Sequence, residues 1–117
     1  EESTFETKKR FLANLKKAAD MAAKAGVTMG FETMENEFMN TVEKAMKYVT
    51  LVGSPYLNVY PDIGNITNAA KTYENDVLED LELGKGHIVA MHLKETVPEI
   101  RDGKKISLLQ MRCLQEY

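Results

Sequence analysis

Tyr56-Leu57-Asn58-Val59-Tyr60-Pro61-Asp62 is the stretch that decides the fold. Tyrosine, leucine and valine fit a pleated, buried surface, and the proline-aspartate pair stops the run after Tyr60. The same pattern recurs on both sides. Upstream, Val27 to Phe31 is a short apolar run with no polar helical face, ending at Glu32. It reads as a strand covered on both sides. Downstream, His87-Ile88-Val89-Ala90-Met91 is a third run of this kind and ends at His92. Between the first two, residues 37–52 place Phe38, Val42, Ala45, Met46 and Val49 at helical spacing, and Gly53-Ser54-Pro55 stops them. After Asp62 the sequence predicts a polar loop through Gly64-Asn65. A helix near 73–83 follows, built on Val77, Leu78 and Leu81 and ended by Gly84 and Gly86.

The chain opens with a predicted helix over residues 3–25, with Phe5, Phe11, Leu12, Leu15, Ala18, Ala19 and Ala22 on one face. Ser3 or Thr4 can cap its start, Glu6 can close a capping box with Ser3, and Gly26 is the natural C-cap. The stretch 94–104 reads as irregular, and 105–117 as weakly helical through Ile106, Leu108, Leu109, Met111 and Leu114. Strands alternating with helices indicate parallel βαβ units with right-handed crossovers. The predicted fold is a partial (β/α) TIM barrel with three parallel strands and alternating helices, one domain over residues 1–117. A closed barrel of this kind takes about 250 residues.

Composition narrows the partners. The net charge is −3, and beyond the triplet Lys8-Lys9-Arg10 the basic clusters are short pairs such as Lys16-Lys17 and Lys104-Lys105, which argues against nucleic acid. No apolar run approaches the ~20 residues of a membrane span, so no membrane partner is expected. Glu1-Glu2-Ser3 does not read as a signal peptide, and the absence of an initiator Met predicts a cut or processed chain. The single Cys113 excludes an internal disulfide, fits a cytoplasmic location, and reads as a helix-face residue rather than a nucleophile. The seven methionines read as core fillers, and His87, at a strand start, as structural.

Glu32, Asp62 and His92 each follow an apolar run, and they are 30 and again 30 residues apart. One βα unit is about 30 residues long, so this is the period of the architecture. In a parallel barrel the carboxyl ends of the strands share one face, where active sites sit. Carboxylate oxygens and an imidazole nitrogen suit Zn²⁺, Mn²⁺, Mg²⁺ or Co²⁺, and the sequence does not choose among them. A βα repeat also produces regular spacing by itself. The pattern alone therefore leaves both a shared metal site and ordinary strand-end polar residues open. Glu35 and Glu37 read as solvated loop residues.

Several segments carry a resemblance: Gly30-Phe31-Glu32-Thr33-Met34-Glu35, Glu37-Phe38-Met39-Asn40, Ser54-Pro55, Val59-Tyr60-Pro61-Asp62-Ile63-Gly64-Asn65 and Met91-His92-Leu93-Lys94-Glu95-Thr96. Over residues 5–97 the chain resembles the bacterial L-ribulose-5-phosphate / L-xylulose-5-phosphate 3-epimerase family, whose members are often labelled hexulose-6-phosphate isomerases. That family is one of the xylose-isomerase-like barrels. The resemblance implies that Glu32 is a metal ligand and one of two acid/base residues, and that Asp62 and His92 are metal ligands. It implies a substrate contact at Asn65 and leaves Lys94 between a substrate contact and a solvated loop lysine. The family's fourth ligand, a glutamate on the last strand that is also the partner acid/base group, has no counterpart here. The match is lost in the tail at 98–117, where Arg101 alone could stand in for a family arginine.

The resemblance thus implies a fragment of a metal-dependent enzyme that interconverts the two ketopentose phosphates at C3, inactive alone and binding metal weakly. Two alternatives stay enzymatic: another sugar isomerase of the same barrel group, and an endonuclease of the superfamily, which the negative charge disfavours. The third is an inactive fragment that associates with a second copy through unpaired strand edges, the source of the expectation of a homo-oligomer.

Overall fold

The computed structural model describes residues 3–101 and 104–110. Their elements run α1 (Phe5–Ala25), β1 (Met29–Glu32), α2 (Val42–Val52), β2 (Leu57–Tyr60), α3 (Ile63–Tyr73), α4 (Val77–Leu83), β3 (Glu95–Arg101) and β4 (Lys104–Gln110). It is an α/β fragment of a barrel, with β1 and β2 parallel and the sheet unclosed.

Local chemistry sets the element ends. Thr4 caps α1 and exchanges hydrogen bonds with Thr7, so the capping box uses Thr4 and Thr7 rather than Ser3 and Glu6. Gly26 and Gly53 end α1 and α2 at φ 68° and 67°, a left-handed conformation that glycine reaches without steric cost. β1 and β2 pair in register from Met29↔Leu57 to Glu32↔Tyr60. Parallel strands need a covered crossover, and α2 supplies it. Met39, Val42, Ala45, Tyr48 and Val49 pack with Leu57, Val59 and Ile66 in one buried cluster. Phe11 from α1 joins it edge-on, with ring centroids 5.2 Å from Phe38 and 5.1 Å from Tyr48.

Four expectations need correction. The polar loop after Asp62 is instead α3. Asp62 caps this helix by accepting from Asn65 N at 3.0 Å, and Ile66 and Ala69 bury its inner face. The polar run through Asn65, Thr67 and Asn68 masks the apolar spacing in the sequence. The predicted helix at 73–83 is the shorter α4, separated from α3 by Glu74, whose φ is 56°. The third strand pairs with β2 only through isolated parallel bridges, Val59↔Ile88, with Asp62↔His92 beyond the end of β2. Its direction and place are those of a third strand, next to β2. The tail is not irregular-then-helical: β3 and β4 form an antiparallel pair from Glu95↔Gln110 to Arg101↔Lys104. Residues 111–117, with Cys113, lie outside the described residues. Among the described residues no helix is long and apolar enough to cross a membrane.

Candidate metal centre

β1 ends on Glu32, the chain turns out of β2 through Pro61 to Asp62, and His92 meets Asp62 in a parallel bridge. The backbone fixes that last meeting: His92 N donates to Pro61 O at 2.8 Å, and Ile63 N donates to His92 O at 2.9 Å. Three residues far apart in the chain therefore share one end of the sheet. One ligand atom from each lies within 4.8 Å of the other two. His92 Nδ1 is 3.2 Å from Glu32 Oε1 and 3.0 Å from Asp62 Oδ2.

The three side chains differ in access. Asp62 is fully buried, whereas the Glu32 and His92 side chains keep 42% and 35% of their surface in solvent. Asp62 is held from several directions. Its N–H donates to Thr33 Oγ1 at 2.8 Å, its Oδ1 caps α3, and its Oδ2 faces His92 and Lys94. Lys94 Nζ lies 2.6 Å from Oδ2, with only 15% of its side chain exposed. The hydrogen bond that Lys94 donates to Asp62, then the fields of Asp62, Glu32 and Glu35, hold the Lys94 ammonium above its ordinary value against the opposing effect of burial. Tyr60 flanks His92 with near-parallel rings, centroids 6.4 Å apart.

The residues fit a divalent ion. Metal–ligand bonds to imidazole nitrogen and carboxylate oxygen run about 2.0–2.2 Å, which puts neighbouring ligand atoms roughly 3 Å or more from one another. The separations of 3.0 and 3.2 Å match that spacing. Asp62 Oδ2 is also sealed from solvent and faces both His92 Nδ1 and the Lys94 ammonium, so it is a carboxylate oxygen oriented toward positive charge. Two carboxylates and an imidazole suit Zn²⁺ or Mn²⁺ by ligand type and do not select one.

The scan against family models matches residues 1–112 to the xylose isomerase-like TIM barrel. The chain belongs to that family. Among curated relatives, the L-ribulose-5-phosphate 3-epimerase UlaE of Escherichia coli O139:H28 is 40% identical over 100 residues, covering 86% of this chain and 34% of that protein. The protein of the same name from Escherichia fergusonii matches to the same extent. The chain spans about a third of the length of these relatives. A crystal structure of Escherichia coli 3-keto-D-glucoside 4-epimerase, YcjR, aligns at a TM-score of 0.67 over 80% of this chain and 35% of that one. Its identity is 15%, so it speaks to the fold alone.

Within this xylose isomerase-like fold the other two residues named from sequence take distinct places. Lys94 reaches the cluster directly. Asn65 lies one turn into α3, 4% exposed, and donates through Nδ2 to Thr33 O at 2.8 Å. Its Oδ1 is sealed from solvent and has no partner among the described residues. In this geometry Asn65 ties α3 to the end of β1. Sequence reasoning missed Thr33, which is fully buried and holds Asp62 by its backbone at both ends. Its position directly after the strand-end Glu32 was the available signal.

Proposed function

We propose that this chain carries the metal-binding half of a sugar-phosphate epimerase site, acting on C3 of L-ribulose 5-phosphate and L-xylulose 5-phosphate in the parent enzyme. The observation that carries the reading is the convergence of Glu32, Asp62 and His92 within 4.8 Å, on a chain 40% identical to proteins named for that reaction.

Glu32, Asp62 and His92 would hold a divalent ion, which supplies charge stabilisation for a ketose carbonyl and its neighbouring oxygen when bound. Inversion beside a carbonyl requires a proton to leave one face of the carbon and return on the other. Glu32 is the carboxylate placed to take or give that proton, because it is the member of the trio with most surface in solvent. Asp62, buried and held by Thr33 and α3, is a ligand and not a proton carrier. Thr33 and Asn65 position it, and Lys94 stands at the edge as a donor to a substrate oxygen. The second acid/base group has no counterpart among the matched residues.

The experiment is titration of the purified chain with Mn²⁺ and Zn²⁺ by calorimetry, beside Glu32→Gln, with L-xylulose 5-phosphate turnover measured on the same samples. Losing a partner that merely supports a ligand already weakens such sites ~10–100-fold, and a drop at least that large is the expected result for Glu32→Gln. Turnover by the chain alone is expected to be below detection, since each acid/base group contributes ~10²–10⁴-fold. Failure to bind either ion, or binding indifferent to Glu32→Gln, would remove the reading.

A further inference from the structure

Asp62 has two carboxylate oxygens and three claimants. Oδ1 is committed to the helix cap, accepting from Asn65 N at 3.0 Å. Oδ2 is the oxygen facing the trio, and Lys94 Nζ already stands 2.6 Å from it. Because Asp62 is fully buried, its side chain cannot turn outward to offer another oxygen without uncapping α3. An ion joining Glu32, Asp62 and His92 must therefore use the oxygen that Lys94 holds.

We propose that Lys94 is a resident counter-cation of this site, which competes with the divalent ion for Asp62 Oδ2 and so lowers and tunes its affinity. The inference rests on the metal reading above. A carboxylate oxygen has lone pairs for two partners, but an ammonium and an ion sharing it would stand only about 4 Å apart. A +1 and a +2 charge at that distance repel strongly even in a high-dielectric surrounding. Lys94 must then lengthen its contact or leave. The Lys94 side chain keeps a path to solvent, 15% of its surface being exposed, so it can withdraw where Asp62 cannot. Glu35, whose field already acts on the ammonium, lies on the loop after β1 and offers a second carboxylate to a displaced Lys94. Lys94 acts here through Asp62, as a positioning residue.

The test is Mn²⁺ affinity, measured by electron paramagnetic resonance of the free ion and by calorimetry, for the unaltered chain, Lys94→Met and Lys94→Arg. Removal of the competing charge should tighten Mn²⁺ binding by about tenfold or more in Lys94→Met, while Lys94→Arg, which keeps the charge, should bind no more tightly than the unaltered chain. Damage to the fold would weaken binding, so a gain cannot come from a merely structural role. Lys94→Gln, close in length and still polar, guards against a collapsed apolar variant and should also bind more tightly. Equal or weaker binding by both Lys94→Met and Lys94→Gln, with the unaltered chain binding normally, overturns this proposal and leaves the metal reading intact. No binding by any of the proteins removes both.

Discussion

The carboxylate of Asp80 offers the sharpest test of how this chain holds its crossover helix. Asp80 lies on α4, is 6% exposed, and spends both oxygens on the start of α2: Oδ2 accepts from Val42 N at 2.8 Å and Oδ1 from Glu43 N at 3.0 Å. Thr41 takes the next donor, Lys44 N, at 3.2 Å. The orphan N–H groups of α2 are thus answered by a residue 38 positions away. Truncation to Ala would leave the Val42 N–H buried without an acceptor, which costs about 1–3 kcal/mol. Glu43 is exposed, and water can replace its partner. The loss of negative charge at a helix start adds about 0.3–1 kcal/mol. Asp80→Ala should therefore lower stability by about 1–4 kcal/mol. Asp80→Asn should cost somewhat less, about 2 kcal/mol, because its amide group would face one N–H donor with another. Asp76→Ala is the control on the same helix. Asp76 caps α4 at the surface, accepting from Leu78 N at 2.7 Å, and such a cap contributes about 1 kcal/mol. Urea unfolding at constant m-value reads all three. An Asp80→Ala loss below about 0.5 kcal/mol, or an Asp76→Ala loss larger than it, would refute the argument, since the buried Val42 N–H would then be indifferent to losing its acceptor.

Two further outcomes follow from the structure. Ultraviolet titration of the five tyrosines should resolve one that ionises early and one late. The hydrogen bond from Lys44, then that from Asn40, holds Tyr73 below its ordinary value, and burial pushes Tyr48 up. A folded value depressed below the unfolded one means that the Tyr73 contribution to stability is absent at neutral pH and grows as pH rises through the folded value. Lys44→Met should move the early transition upward and leave the late one; an early transition that does not move would show that Lys44 is not its main cause. Separately, the chain should self-associate at high micromolar concentration. Val89, Met91 and Leu93 are 48%, 39% and 53% exposed at alternate positions, and β1 has no strand on its outer edge among the described residues. Sedimentation velocity showing a strict monomer at those concentrations would contradict this.

Much of the site was legible because a parallel sheet converts sequence period into spatial convergence. Glu32, Asp62 and His92 each follow an apolar run, and in parallel strands the ends of such runs meet on one face. The elements that were misread share a different cause. α3 carries polar residues on most of its turns, and its start rests on Asp62, a residue already assigned to the sheet. A single side chain serving as helix cap and candidate ligand hides one role behind the other. The tail was misread because Ile106, Leu108 and Leu109 fit a loose helical spacing, whereas Asp102-Gly103, placed after a run with Thr96, Val97 and Ile100 and before one with Ile106, Leu108 and Leu109, is a strong short-range hairpin signal.

The Lys94–Asp62 pair was also within reach of the sequence, by a step of stereochemistry that a motif match skips. In extended chain, residues two apart point to the same side. A segment that brings His92 to Asp62 therefore brings Lys94 to that side as well, one residue pair further along. Lys94 is thus part of the cluster for the same geometric reason as His92, and its charge enters any account of what the cluster binds. Two carboxylates facing an imidazole carry a formal −2; with Lys94 against Asp62 the group falls to −1. A divalent ion is drawn less strongly to the second arrangement than to the first. Ligand identity alone overstates the affinity of this site, and the residue two positions past the histidine sets the correction.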